Sequence, residues 1–350
     1  MESTQTPASR RIALTFAAMR ILVTGGAGFI GSHFAKRLLH AGDDVVVLDK
    51  LTYSGNRANL PQEVEFHEGD IAEAADVARA ARGCEAIVNF AAETHVDRSI
   101  LTAGDFGRTE FRGTQMLLEH VRDSGARLVQ VSTDEVYGDL EAGGSSTEID
   151  PLRPSSPYSA AKAAGDLLIP AYVRTFDVDA SITRGSNTYG PHQYPEKFIP
   201  LFITNALDGD ALPLYGDGRQ IRDWLFVEDH CAGIEVVLRE GAAGEIYNVG
   251  GEDEQENIAV AERILELTEA DRSLLRRVAD REGHDRRYSL DTTKLRGLGW
   301  RPQTSFEDGL RETVQWYRDR RDWWQPIKSG EYREYYARQY AERLANATAV

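Results

Sequence analysis

The sequence predicts an α/β protein, a doubly wound parallel sheet joined to a smaller mixed α/β portion. Three observations carry this expectation. Short apolar runs alternate with helical stretches between residues 20 and 183, a glycine-rich turn separates the first run from the first helix, and the strict alternation stops near Gly185. Strands of a parallel sheet bury both faces, so they read as continuous apolar runs, as these do.

The elements follow in order. Residues 21–23 form a buried strand, 29–40 a helix and 45–48 a second strand, which together make a βαβ unit. Further apolar runs fall at 85–90, 128–131 and 180–183, separated by helical stretches at 72–81, 106–121 and 159–176. Beyond Gly185, turn-rich pieces such as Tyr189-Gly190-Pro191 and Tyr215-Gly216-Asp217-Gly218 mark a substrate-binding portion. The expected division is a disordered extension at 1–18, a nucleotide-binding domain at 19–187 with a returning segment near 221–247, and a second domain from 188–220 and 248–350. In the helix-rich tail at 306–344, Trp316, Tyr317, Trp323 and Trp324 read as packing anchors.

Composition narrows the function. A chain of 350 residues with 41% hydrophobic content can bury a large core, and no run approaches the roughly 20 apolar residues of a membrane span. A formal net charge of -16 argues against nucleic acid or an anionic membrane as partner. Cys84 and Cys231 are the only cysteines, so neither a disulfide framework nor a zinc site is expected, in keeping with a reducing cytoplasm. Residues 1–18 contain Arg10-Arg11 but no small-residue cleavage site of the secretory kind.

The turn Thr24-Gly25-Gly26-Ala27-Gly28-Phe29-Ile30-Gly31 links the first strand to the first helix. Glycines at Gly25, Gly28 and Gly31 allow a tight turn, close approach of a pyrophosphate to backbone, and close helix–sheet contact. Asp49 ends the second strand about 20 residues downstream, where a carboxylate can bind an adenosine ribose and repel a 2′-phosphate. NAD is therefore the expected cofactor, with Lys50 beside Asp49 as the one basic group. Asp70, after Glu68-Gly69, either reaches the adenine edge or caps its own turn.

Tyr158 and Lys162 stand four residues apart on a helix, one turn apart on one face. An ammonium and a positive nicotinamide both lower a phenol's pKa, so this pair can take a proton from a substrate hydroxyl. Thr133-Asp134-Glu135 follows the apolar run at 128–131. An Asp-Glu pair often caps a turn or lies in solvent, but ligands of doubly wound sheets bind outside the carboxyl ends of the strands. Two neighbouring carboxylates in such a pocket should separate into one raised and one lower pKa, an acid and a base suited to elimination of water.

These motifs together resemble the extended short-chain dehydrogenase/reductases that act on nucleotide sugars, and among them the 4,6-dehydratases. The resemblance spans the chain from Met19 to the aromatic tail. It rests on 24–31, Asp49-Lys50-Leu51-Thr52-Tyr53-Ser54-Gly55-Asn56, Ala91-Ala92-Glu93-Thr94-His95-Val96-Asp97-Arg98-Ser99, 132–138, 158–162 and 189–191. Epimerases of the same fold carry small or hydroxyl residues where Asp134 and Glu135 stand. The resemblance implies a redox-neutral dehydration of a dTDP-sugar: Tyr158, aided by Thr133 and Lys162, serves C4 oxidation, Glu135 removes the C5 proton and Asp134 protonates the departing hydroxyl. It further implies cofactor contacts from Phe29, Ile30, Thr52, Ile71, Ala91 and Ala92. Substrate contacts are implied from Thr94, Thr133, Asn187, Glu196, Lys197, Arg222, Asn257, Arg281, His284 and Tyr288, the two arginines suiting a diphosphate. A homodimer is implied, formed as a four-helix bundle by 111–121 and 159–176. The chain departs from the family pattern at Thr94, where serine is usual, at Phe111 and Arg112, where asparagine and valine often stand, and at Thr188, where a second asparagine is common.

Overall fold

The computed structural model describes residues 17–94, 104–140, 143–280 and 283–350. Most of the expected extension, the His95 to Ser99 part of one motif, and Arg281 lie outside the described residues. The first unit is β1 (Arg20–Thr24), α1 (Phe29–Ala41) and β2 (Asp44–Asp49). It is followed by β3 (Glu65–Glu68), α2 (Ala74–Ala80) and β4 (Ala86–Asn89). Next come α3 (Gly104–Gly107), a π-helical segment (Arg108–Gly113) and α4 (Thr114–Ser124). β5 (Arg127–Thr133), α5 (Pro157–Phe176) and β6 (Ala180–Gly185) complete the alternating half.

The remainder contains β7 (Asn187–Tyr189), α6 (Phe198–Asp208), β8 (Leu212–Tyr215), β9 (Ile221–Phe226), α7 (Val227–Glu240) and β10 (Ile246–Val249). β11 (Glu254–Glu256), α8 (Asn257–Thr268) and β12 (Leu275–Val278) follow. The chain ends with α9 (Thr293–Gly297), α10 (Phe306–Asp319), α11 (Arg321–Trp324), α12 (Glu331–Ala345) and β13 (Thr348–Ala349).

Seven strands form one parallel sheet in the order β10-β6-β5-β4-β1-β2-β3, the doubly wound architecture that the alternation predicts. Two three-stranded sheets, β11-β9-β7 and β13-β12-β8, build the second portion. The chain returns to the large sheet through α7 and β10, whereas β9 belongs to a small sheet. β3 has no counterpart among the apolar runs, because an edge strand of sequence Glu-Phe-His-Glu has no need of two apolar faces. The helix expected at 106–121 is instead divided by the π-helical segment.

Alternation along β1 sends side chains to opposite faces. Ile21 and Val23 pack with Phe34 and Leu38 of α1 and with Ile234 and Val237 of α7. Leu22 packs on the other face with Val77 of α2, Leu117 of α4 and Ile169 of α5. Cys84 and Cys231 are both buried and free. A third core holds Tyr317 and Trp324 between α6, α8 and α10, and Trp323 donates its indole N–H to Asn59 Oδ1 at 2.9 Å, tying the tail to the large-sheet domain.

Candidate active site

The strand order reverses between β1 and β4, and a cavity of about 280 Å³ opens there. Its cradle is built by glycine. Gly25 has φ +65°, and a Cβ there would lie 2.5 Å from the Ala91 nitrogen; a Cβ on Gly31 would lie 2.4 Å from the Gly25 carbonyl oxygen. Only glycine lets the turn, the start of α1 and the end of β4 come this close. Gly28, Phe29 and Ile30 continue the lining at the positive end of α1, where backbone N–H groups favour a phosphate. The cradle fits a dinucleotide.

Asp49 lies in the same wall and is fixed by backbone, with Oδ2 accepting from Ala27 N at 2.9 Å and Oδ1 from Leu51 N at 2.8 Å. Burial pushes its carboxyl up, against the pull of these two amides. Lys50 stands 3.2 Å from Glu93 and 3.9 Å from Asp70, so its charge is met by two carboxylates rather than left for a 2′-phosphate. Asp70 caps its turn by accepting from Ala72 N at 2.8 Å and also lines the cavity. Thr52, Ile71, Ala91 and Ala92 complete this side.

The other side of the cavity carries the acid–base groups. Thr133 ends β5, and Asp134 and Glu135 open the 3₁₀ turn that follows; all three line the cavity. Thr133 donates to Asp134 Oδ1 at 3.1 Å and accepts from Glu135 N at 3.3 Å. Asp134 is buried, and desolvation, reinforced by Glu135 and Asp223, holds its carboxyl well above the usual range. Tyr158 and Lys162 project from α5, whose start is set by a Ser156–Ser159 capping box with Pro157 in the first turn. The Tyr158 phenol is pushed up, first by burial and then by Glu135, Glu110 and Asp134. Burial thus outweighs the lowering that the Tyr158–Lys162 spacing predicts, and the ammonium is engaged elsewhere as well: Lys162 Nζ donates to the Val131 carbonyl at 3.0 Å and pairs with Glu110 at 3.2 Å.

Thr94, Asn187 and Lys197 also line the cavity, and Asn187 Oδ1 is buried without a hydrogen-bond partner among the described residues. Glu196 stands just behind, buried, accepting from the Tyr53 hydroxyl at 2.7 Å. The other expected substrate residues form a second cluster. The Arg222 guanidinium lies 4.5 Å from the Tyr288 ring centroid, and its N–H groups are held by the carbonyls of Ile221 and Asp285. His284 contacts Asp280 at 2.6 Å and Gln220 at 3.3 Å, and Asn257 N donates to the Gln220 carbonyl at 3.0 Å. Arg222 and Tyr288 both act electrostatically on the Asp134-Glu135 pair, so this cluster flanks the catalytic side.

Sequence patterns gave no role to several charged or titratable groups at or behind the cavity. Glu93 meets Lys50 across it. His230 of α7 lines it with Nε2 buried and unpartnered among the described residues, its Nδ1 2.7 Å from Thr188 Oγ1. Glu110 pairs with Lys162 from behind. Glu93 falls inside a family motif with no role assigned to it, and a lone glutamate or histidine on a helix, such as Glu110 or His230, carries no signal of its own. Phe111 and Arg112, where the family pattern is broken, stay outside the cavity: Phe111 is exposed, and Arg112 donates to Gln115 on the surface.

A dinucleotide cradle at the switch point, with a tyrosine–lysine pair on one wall and an Asp-Glu pair at the end of the central strand, defines an extended short-chain dehydrogenase/reductase equipped for elimination. The family model described as GDP-mannose 4,6-dehydratase matches residues 22–313. The dTDP-glucose 4,6-dehydratase of Streptomyces niveus is 53% identical over 324 residues, covering 89% of this chain and 96% of the relative. That of Escherichia coli K12, 4,6-dehydratase 1, is 44% identical over 93% of this chain and 100% of its own length. A crystal structure of a dTDP-glucose 4,6-dehydratase from Streptomyces venezuelae with NAD and TYD bound superposes with a TM-score of 0.86 at 55% identity, covering 89% of this chain and 100% of the other. A UDP-glucose 4-epimerase from Thermus thermophilus, complexed with NAD, reaches 0.82 at 33% identity, with 86% and 100% covered. The chain belongs to the GDP-mannose 4,6-dehydratase family and, within it, to the dTDP-glucose 4,6-dehydratases.

Proposed function

We propose that the protein converts dTDP-glucose to dTDP-4-keto-6-deoxyglucose, a hydro-lyase reaction without net redox change that serves deoxysugar synthesis. Bound NAD supplies a hydride acceptor for C4 and, later in the same turnover, a hydride donor for C6. Tyr158 removes the C4 hydroxyl proton, with Lys162 beneath it and Thr133 beside it. The resulting ketone acidifies the C5 proton, which Glu135 takes. Asp134, kept protonated by burial, gives its proton to the C6 hydroxyl, which leaves as water. Glu135 returns its proton to C5 as C6 is reduced. Tyr158 has then gained one proton and Asp134 lost one, and Thr133, bonded to Asp134 and facing the phenol, can relay it.

The observation that carries this reading is that Thr133, Asp134, Glu135, Tyr158 and Lys162 line the same cavity as the glycine turn. Diphosphate and base recognition is assigned to Asn187, Glu196, Lys197, Arg222, Asn257, Arg281, His284 and Tyr288, and a hydroxyl contact to Thr94. The test is incubation of the purified protein with dTDP-glucose or UDP-glucose without added NAD, followed by mass analysis. The expected result is a product one water lighter from dTDP-glucose in preference to UDP-glucose. Recovery of unchanged dTDP-glucose contradicts the reading.

A homodimer through α4, the π-helical segment and α5 accompanies this function. Its support is the exposure of large apolar side chains on these elements, Phe111 at 45% and Leu167 at 63%. A cytoplasmic setting is proposed on the two buried free cysteines and the acidic surface charge; among the described residues no helix is long and apolar enough to cross a membrane.

A further inference from the structure

Glu110 has no part in the reaction as derived above, yet it is one of the most deeply buried charged groups in the chain, 1% exposed. Its Oε2 lies 3.2 Å from Lys162 Nζ, whose side chain is itself 6% exposed. Its Oε1 has no hydrogen-bond donor among the described residues. An isolated carboxylate in such a place is strongly disfavoured, and a partner ammonium is what makes it tolerable. The local backbone is shaped to put it there. In the π-helical segment Thr109, Glu110 and Gly113 turn inward, while Phe111 and Arg112 turn outward. Gly165 of α5 lets the two backbones touch, since a Cβ there would fall 2.9 Å from the Glu110 carbonyl oxygen.

We propose that Glu110 is a positioning residue, the counter-ion that holds Lys162 against the Val131 carbonyl and limits how far its ammonium can acidify Tyr158. The proposal rests on the assignment of Tyr158 as the base of C4 oxidation. The groups acting on the phenol are Glu135 and Asp134 from the turn after β5, Glu110 from the π-helical segment and the Thr133 hydroxyl, while Lys162, one turn along the same helix, lines the same cavity. Glu110 in turn faces Lys162, Asp166 and Glu93. Burial is the first cause that keeps the proton on Tyr158, and Glu110 adds to it, as a negative charge near the phenol and as the group that compensates the Lys162 ammonium. A bound oxidised nicotinamide would supply the further positive charge that favours loss of the Tyr158 proton.

The test is the pH dependence of single-turnover C4 oxidation by parent, Glu110→Gln and Glu110→Asp, together with their NAD content after gel filtration. Removing the negative charge while keeping the shape should move the acid limb of Glu110→Gln to lower pH by about one unit, with KM and NAD content near those of the parent. Glu110→Asp, which keeps the charge, should restore the parental limb. Should Glu110→Gln fail to fold, the shorter pair Glu110→Asn and Glu110→Asp makes the same comparison. A parent that dehydrates dTDP-glucose while the limbs of charged and neutral variants coincide overturns the role of Glu110 alone. A parent that forms no oxidised sugar overturns the assignment of Tyr158, and this inference with it.

Discussion

Thr133 donates its hydroxyl to Oδ1 of Asp134 at 3.1 Å, while Oδ2 of the same carboxyl is buried without a partner among the described residues. The bonded oxygen fixes the orientation of the carboxyl. The free oxygen is the one able to carry a proton toward a substrate. Burial keeps that proton in place, as an acid that must protonate a poor leaving group requires.

Stability should register the same burial. The folded-state pKa of Asp134 lies above its unfolded value, so its contribution is fully present below the unfolded pKa and is lost as pH rises toward the folded one. Asp223, raised to about 6 by desolvation, adds a loss of the same sign as pH rises through that value. Asp134→Asn removes one of these penalties. Its melting temperature should exceed the parent's by an amount that grows from about pH 4 upward, because the asparagine has no charge to desolvate. Thermal scans across this range check it, and an advantage that shrinks as pH rises would contradict the burial argument.

NAD should co-purify, since a hydride returned within one turnover gives no reason to release the cofactor. Asp49→Ala leaves the Ala27 and Leu51 amides without their acceptor, at a cost of about 1–3 kcal/mol in stability and a lower dinucleotide content. Gly31→Ala should lower cofactor content more sharply, because its Cβ would meet the Gly25 carbonyl at 2.4 Å. Dinucleotide released on denaturation measures both, and recovery of NADP would overturn the role given to Asp49.

Light scattering should give a particle of twice 38.9 kDa. Phe111→Glu with Leu167→Glu places two charges on the exposed apolar face and should shift the particle toward monomer with the fold retained. A parent already at the monomer mass would reject the dimer.

The sequence carried most of what positions the site because the relevant forces are local. An apolar run followed by glycines leaves few alternatives for β1, its turn and α1, and Asp49 is found by counting along the next strand. β3 escaped since Glu65–Glu68 pairs on one side only and needs no apolar signature. Glu110 escaped for a subtler reason. Beside Phe111 and Arg112 it reads as a solvated helix face, and only the wider winding at Arg108–Gly113 turns it inward and the phenylalanine outward. The sign of the shift at Tyr158 was equally hidden, because the spacing of Tyr158 and Lys162 says nothing of how deeply the phenol is buried or of the three carboxylates around it.

The division of labour between oxidation and elimination is tested most directly by single-turnover absorbance of the reduced cofactor with dTDP-glucose, followed in parallel with product mass. Asp134→Asn and Glu135→Gln remove proton transfer while nearly keeping shape. Both should slow dehydration by about 10²–10⁴-fold while C4 oxidation persists, so reduced cofactor accumulates above the parental level. Tyr158→Phe should accumulate almost none. If the two carboxylate variants form the 4-keto-6-deoxy product at the parental rate, Asp134 and Glu135 serve only the structure, and the acid–base assignment made here is wrong.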